Sequence, residues 1–181
     1  MTSEPINVVV LGHLDNGKTT LCNAITKEFS ADLTSVLVEG WSQIILTTKK
    51  NQYSLLDHPS APTALQDLKD GKISSRIAIL VVSVLDGMKE DDRAAIAIAH
   101  DAGILHCLVF SSKQKLLAEA DGEMADIVDE EILEALTDNG LKKEDCPIIR
   151  GDALAAIQGD TGRYGTPSIR TLVEVLDAIS L

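Results

Sequence analysis

The stretch "VVVLGHLDNGKTTL", Val8 to Leu21, governs how the rest of the chain is read. A β-branched run ends in a glycine, a second glycine follows with Lys-Thr-Thr, and a helical pattern, "KTTLCNAITKEF", takes over. Strand, tight loop and helix in that order satisfy G-x-x-x-x-G-K-[ST] in the context the motif requires. The chemistry follows from the residue types. Gly12 and Gly17 let the backbone wrap a phosphate, and the N–H groups of His13, Leu14, Asp15 and Asn16 with the helix N-terminus supply positive potential. Lys18 is placed to reach the β- and γ-phosphates, the Thr19 hydroxyl to ligate Mg²⁺, and Thr20 continues the first helical turn. The expected ligand of these residues is a nucleotide with Mg²⁺.

Working outward, apolar β-branched runs alternate with helical patterns. The strand-like runs are "INVVVLG", "SQIILTT", "QYSLLDH", "RIAILVVSVL", "ILHCLVFS" and "CPIIRG"; the helical ones include "DRAAIAIAHDAG", "DEEILEALTDNG" and "SIRTLVEVLDAIS". Such alternation predicts a doubly wound α/β domain. "KKNQ" reads as a hairpin turn between "IILTT" and "YSLLD", so the sheet of about six strands is expected to be parallel with one antiparallel edge strand.

Composition agrees with that architecture. The 181 residues suit one domain, residues 1–181. With 45% hydrophobic residues and only 3% aromatic, the core must be built from Val, Ile, Leu and Ala. A net charge of −12 argues against direct binding of nucleic acid. Cys22, Cys107 and Cys146 are odd in number and set in apolar surroundings, which suggests a reducing cytoplasmic compartment rather than a disulfide framework. The N-terminal apolar run is too short for a signal segment or membrane span, so no membrane association is expected.

The wording "GHLDNGKTTL" is narrower than the general motif and resembles the translational GTPases, whose loop reads G-H-x-D-x-G-K-[ST]-[ST]-L. The GTP-binding domain of the elongation-factor-Tu type is the nearest likeness. "LVVSVLDGMKEDDRAAIAIAHDAGILHCLVF" and "DEEILEALTDNGLKKEDCPIIRGDALAAIQGD" extend it over essentially the whole chain. The resemblance implies a P-loop NTPase fold of the small-GTPase kind, three layers α/β/α, that binds GTP or GDP with Mg²⁺ in the cytoplasm and works with a protein partner in translation. If active, such a chain is a GTPase releasing GDP and phosphate. The β-barrel domains that follow in that family, and that hold aminoacyl-tRNA with it, have no counterpart expected within residues 1–181.

Three segments depart from the family pattern. The second switch, D-C-P-G-H, appears as Asp57-His58-Pro59-Ser60-Ala61. Asp57 keeps the position that holds Mg²⁺ through water, whereas Ala61 stands where the family's water-positioning His would be and has no polar atom. His58 is a displaced alternative whose side chain would have to point the other way. Phosphoryl transfer depends on positioning and charge stabilisation, so hydrolysis is expected to be weak or absent. The base-recognition motif N-K-x-D appears as Ser112-Lys113-Gln114-Lys115. Lys113 can lie over a base, but Lys115 replaces a carboxylate acceptor by an ammonium with donors only, which puts guanine preference over adenine in question. The ribose-side loop S-A-L appears as Asp152-Ala153-Leu154. There, Asp152 introduces a charge that could stand in for the lost acceptor.

The first switch falls between Ser30 and Gln43, where Glu39-Gly40-Trp41-Ser42 resembles the R-G-I-T element and makes Ser42 a further Mg²⁺ candidate. Trp41 reads equally as part of that element or as a core anchor. The alternative to a nucleotide-binding domain is a pseudo-GTPase that kept the scaffold and holds a protein partner; an ATP-using kinase or ATPase rests only on the altered base motif.

Overall fold

The computed structural model describes residues 4–34, 40–117 and 122–179, with backbone alone for 33 and 34. Seven strands form one sheet in the order β2-β3-β4-β1-β5-β6-β7. They are β1 (Ile6–Leu11), β2 (Asp32–Thr34), β3 (Ser42–Thr47), β4 (Gln52–Asp57), β5 (Ile77–Ser83), β6 (His106–Ser112) and β7 (Ile148–Arg150). Strands β4, β1, β5, β6 and β7 are mutually parallel.

The expectation of a hairpin at "KKNQ" holds: Thr48 N–H donates to the Asn51 carbonyl, and β3 pairs antiparallel with β4. The antiparallel strand is not at the edge as expected. The three-residue β2 pairs antiparallel outside β3 and takes the edge itself. Its "DLT" is too short for an alternating pattern to stand out in the sequence, and pairing with an existing strand supplies the ordering that propensity does not.

Among the described residues six α-helices cover the two faces: α1 (Lys18–Phe29), α2 (Ala61–Lys69), α3 (Glu90–Asp101), α4 (Gly122–Asp138), α5 (Ala153–Ile157) and α6 (Thr166–Ala178). Alternate residues of the central strands serve opposite cores, because side chains switch face at every residue of a strand. Val9, Leu11, Ala78, Leu80 and Val82 join α2, α3 and α4, while Val8, Val10, Ile77, Ile79 and Val81 join α1, α5 and α6. The result is a three-layer α/β/α arrangement with a β5 buried along its whole length. Cys107 and Cys146 are core residues, as their surroundings in the sequence suggest. No helix among the described residues is long and apolar enough to cross a membrane.

Parallel strands carry their C-terminal ends to one rim. There β1 gives way to the loop Gly12–Gly17, β4 ends at Asp57, β6 at Ser112, and β7 leads into Asp152. Every candidate site residue that the structure describes lies on this rim.

Candidate functional site

The loop after β1 is shaped by its glycines. Gly12 has φ +129°, and a Cβ there would stand 2.3 Å from the Val81 carbonyl oxygen on β5, so no larger residue fits. Gly17, at φ +95°, turns the chain into α1. Between them Leu14–Asn16 make one 3₁₀ turn, whose start is capped by His13 Nδ1 accepting from Asp15 N–H at 3.2 Å.

Lys18 is buried, and its ammonium folds back over the loop, donating to the carbonyls of Gly12 at 2.9 Å and His13 at 3.1 Å. Burial pulls its pKa below the ordinary lysine value, while the nearby Asp57 and Asp92 carboxylates act in the opposite sense. Carbonyl oxygens are weaker partners for a cation than an anion is, so this lysine is a charge that an incoming anion can recruit.

Thr19 and Asp57 come from segments 38 residues apart and meet directly, the Thr19 hydroxyl donating to Asp57 Oδ2 at 2.8 Å. Asp57 is buried, and its Oδ1 has no hydrogen-bond partner. An unpartnered buried carboxylate oxygen is costly, and here it lies beside a hydroxyl at the mouth of the loop. Hard oxygen donors of this kind suit Mg²⁺, which takes one or two protein ligands and completes its shell with water and phosphate oxygens. Ser42 opens β3 directly across the ladder from Asp57 and is exposed. Residues 35–39, including Glu39, lie outside the described residues.

A cavity of about 440 Å³ continues from the loop along the rim. Asp15, Asn16, Gly17 and Thr20 line its near end. Ser112, Lys113, Lys115 and Leu116 after β6, and Asp152, Ala153, Leu154 and Gln158 after β7, line the rest of it. Leu116 and Leu154, at 67% and 56% exposure, offer it apolar surface. The Ser112 hydroxyl donates to the Asn16 carbonyl at 2.8 Å, tying β6 to the loop. Lys113 adopts φ +63°, unusual for a side-chain-bearing residue, and sets its ammonium 3.3 Å from Asp86 Oδ2.

Asp152 does not stand free. Its Oδ1 caps α5 by accepting from Ala155 N–H at 2.9 Å. Lys115 is paired with Asp160, which holds the ammonium above its ordinary pKa and the carboxylate below. Asp152 and Lys115, two of the charged groups at the far end, are thus engaged with Ala155 N–H and Asp160 respectively.

The second-switch stretch is built into the fold differently. Ser60 caps α2, with its hydroxyl accepting from Thr63 N–H, and Ala61 is the first residue of that helix. His58 accepts from Ser60 N–H through Nδ1 at 3.0 Å, and its ring meets Trp41 edge-on at a centroid distance of 5.2 Å. A Cβ on Gly40 would come within 2.6 Å of His58 Nε2. The His58 ring is thus packed against Trp41 and Gly40 and held by Ser60. Trp41 is a core anchor, 1% exposed, with Nε1–H donating to Asp67 Oδ2 on α2 at 2.9 Å. Lys72 donates to the other oxygen of Asp67 at 2.8 Å.

Asp92, absent from the sequence-based candidates, is a further buried group at the loop. It is the third residue of α3 and fully buried. Its Oδ1 accepts from His13 N–H at 2.8 Å and from Asn16 Nδ2 at 3.0 Å, and its Oδ2 accepts from Lys89 N–H at 3.0 Å. Asn16 Nδ2 also donates to the Val81 carbonyl at 2.8 Å. In the sequence "KEDDR" announces only an acidic helix start, and nothing local marks which of two adjacent aspartates turns inward. No protein-family model matches this chain.

Proposed function

We propose that this chain binds a nucleoside di- or triphosphate with Mg²⁺ as a domain of the GTPase type, with GTP or GDP as the ligand its resemblance implies, and that it hydrolyses the triphosphate weakly or not at all. The observation that carries this reading is the loop itself: a glycine-shaped turn opening a helix, a buried Lys18 held only by carbonyls, and Thr19 meeting an Asp57 with an unpartnered oxygen. The adjoining cavity has the size and apolar walls to take a nucleoside. Thr19 and Asp57 would hold Mg²⁺, which supplies charge neutralisation for the phosphates when bound. Gly12–Thr20 supply donors and orientation, and Lys113, Leu116 and Leu154 supply surface for the base.

Weak hydrolysis follows from Ala61, whose methyl group can neither orient nor deprotonate water, and from His58, whose ring is committed to Ser60 and Trp41. Titration of the chain with GDP and with ADP, each with Mg²⁺ and with EDTA, tests the reading. Binding that tightens with Mg²⁺ is expected; no binding of either at millimolar concentration overturns it.

A second reading, a scaffold that holds a protein partner, is favoured by one specific feature. Trp41 joins β3 to α2 through Asp67 and packs on His58, so the segments that would move in a nucleotide switch are fastened to each other. Trp41 emission discriminates between the two. A working switch shifts it between GDP and a non-hydrolysable GTP analogue, and a fastened scaffold leaves it unchanged.

A further inference from the structure

We infer that Asp92 is a positioning residue for the glycine loop: from the N-terminal turn of α3 its carboxylate holds the loop in its anion-ready shape through His13 and Asn16. The inference rests on the nucleotide-binding reading for its consequence, though not for its geometry.

The loop needs an external brace. Leu14–Asn16, capped by His13, form a single 3₁₀ turn between two glycines with positive φ, and a turn that short has little intrinsic stability. Three tertiary partners, through four hydrogen bonds, replace what local structure lacks. Ser112 holds the Asn16 carbonyl from β6, the Val81 carbonyl holds Asn16 Nδ2 from β5, and Asp92 holds both Asn16 Nδ2 and His13 N–H from α3. Of the three, only Asp92 grips the loop at two residues and does so with a charge, which makes each bond stronger than a neutral one.

The choice of residue is informative. A fully buried carboxylate close to an anion site is electrostatically unfavourable for that anion, so its presence requires a compensating role. All three of its hydrogen bonds are accepted from donors with fixed positions, two backbone N–H groups and one amide that is itself held by Val81. Acceptor-only chemistry is what that arrangement requires, and a carboxylate meets it on both oxygens at once. Asp92 takes up the His13 N–H, so the residue whose side chain caps the 3₁₀ turn is itself held from α3. Asp92 lies near enough to Lys18 to act on its charge as well, in the same sense as Asp57.

Two substitutions separate the brace from mere stability. Asp92→Asn keeps one acceptor oxygen, which is expected to face the two donors His13 N–H and Asn16 Nδ2, leaving the amide N–H₂ against the single donor Lys89 N–H. The loop half of the arrangement survives and the helix-cap half is lost. Asp92→Ala loses both. Both variants are expected to unfold at lower temperature than the native chain. Well below those temperatures, Asp92→Ala should bind Mg²⁺·GDP and Mg²⁺·ADP at least about tenfold more weakly, the scale of one lost charged hydrogen bond, and Asp92→Asn within about threefold of native.

The companion measurement needs no nucleotide. Amide hydrogen exchange at His13, followed by NMR in the free protein, should accelerate strongly in Asp92→Ala and stay slow in Asp92→Asn. Equal exchange at His13 in native chain and Asp92→Ala, or equal loss of protection in the two variants, overturns the positioning role. If the native chain binds neither nucleotide while the exchange pattern appears as expected, the nucleotide-binding reading fails and the brace stands.

Discussion

Lys18, Thr19 and Asp57 show how much of a site can be fastened by groups that satisfy each other imperfectly. Lys18 rests on two carbonyls, and Thr19 on one oxygen of Asp57 while the other has no partner. Replacing Thr19 by Ala is expected to leave the fold intact and to remove the tightening of nucleotide binding by Mg²⁺, read by titration with and without EDTA. An undiminished Mg²⁺ effect in that variant would place the metal elsewhere. Gly12→Ala acts through backbone and space together, since its Cβ would collide with the Val81 carbonyl oxygen at 2.3 Å. A loss of about 3 kcal/mol in urea unfolding is expected, at the upper end of ordinary overpacking. Turnover is the remaining test at this scale: on the proposed reading, in which Ala61 takes the water-positioning place, GTP hydrolysis should run no faster than on the order of 10⁻³ s⁻¹, the range of a GTPase lacking its activating partner.

Among the elements, the junction of β3 with α2 differs most from what a mobile switch requires. Trp41 is buried between them and donates to Asp67, which Lys72 and the Trp41 N–H together hold below the usual carboxylate pKa. The sign of its pH effect follows. A carboxyl with a depressed folded-state pKa contributes stability at all pH values above its unfolded value of about 3.9, and that contribution disappears as pH falls through the folded-state value. Asp67→Asn should therefore lower the melting temperature at pH 7 and bring the variant and native curves together at the acid end. Parallel curves down to pH 2 would show that the pair has no such role. Trp41→Phe keeps a six-membered ring but loses the pyrrole ring with its N–H donor, with an expected cost of about 1–3 kcal/mol for the lost hydrogen bond to a charged group, before any cost of the volume left empty.

Across the whole molecule, two cores divided by one sheet leave little room for reactive groups. Cys22, Cys107 and Cys146 are free and buried, and burial raises all three thiols, Cys146 to about 11 and the other two further. A thiolate is the reactive form, so the native chain should be inert to a maleimide or disulfide reagent at pH 8 over hours, and should react at three sites once unfolded in denaturant. Fast labelling of the native chain would mean that one core opens readily. The cavity beside the loop belongs to this scale too, because its walls come from three separate stretches of the chain that meet at the strand ends.

Features carried by local pattern were legible in the sequence. The run Val8 to Leu21 contains its own strand, turn and helix, and the glycines at 12 and 17 announce backbone conformations that other residues resist. The "KKNQ" turn and the buried cysteines are local in the same sense. Other features depend on which distant groups become neighbours. The sequence does not reveal that "DLT" adds an edge strand, that Asp152 caps a helix, that Lys115 is paired with Asp160, or that Trp41 faces Asp67. Asp92 reaches the loop across 79 residues, and its neighbour Asp91 has the same composition and propensity but a different surrounding. Periodicity and motif report what a segment does with its own backbone. Hydrogen-bond partners far apart along the chain are set by the closing of the sheet, and that was decided by the tertiary structure alone.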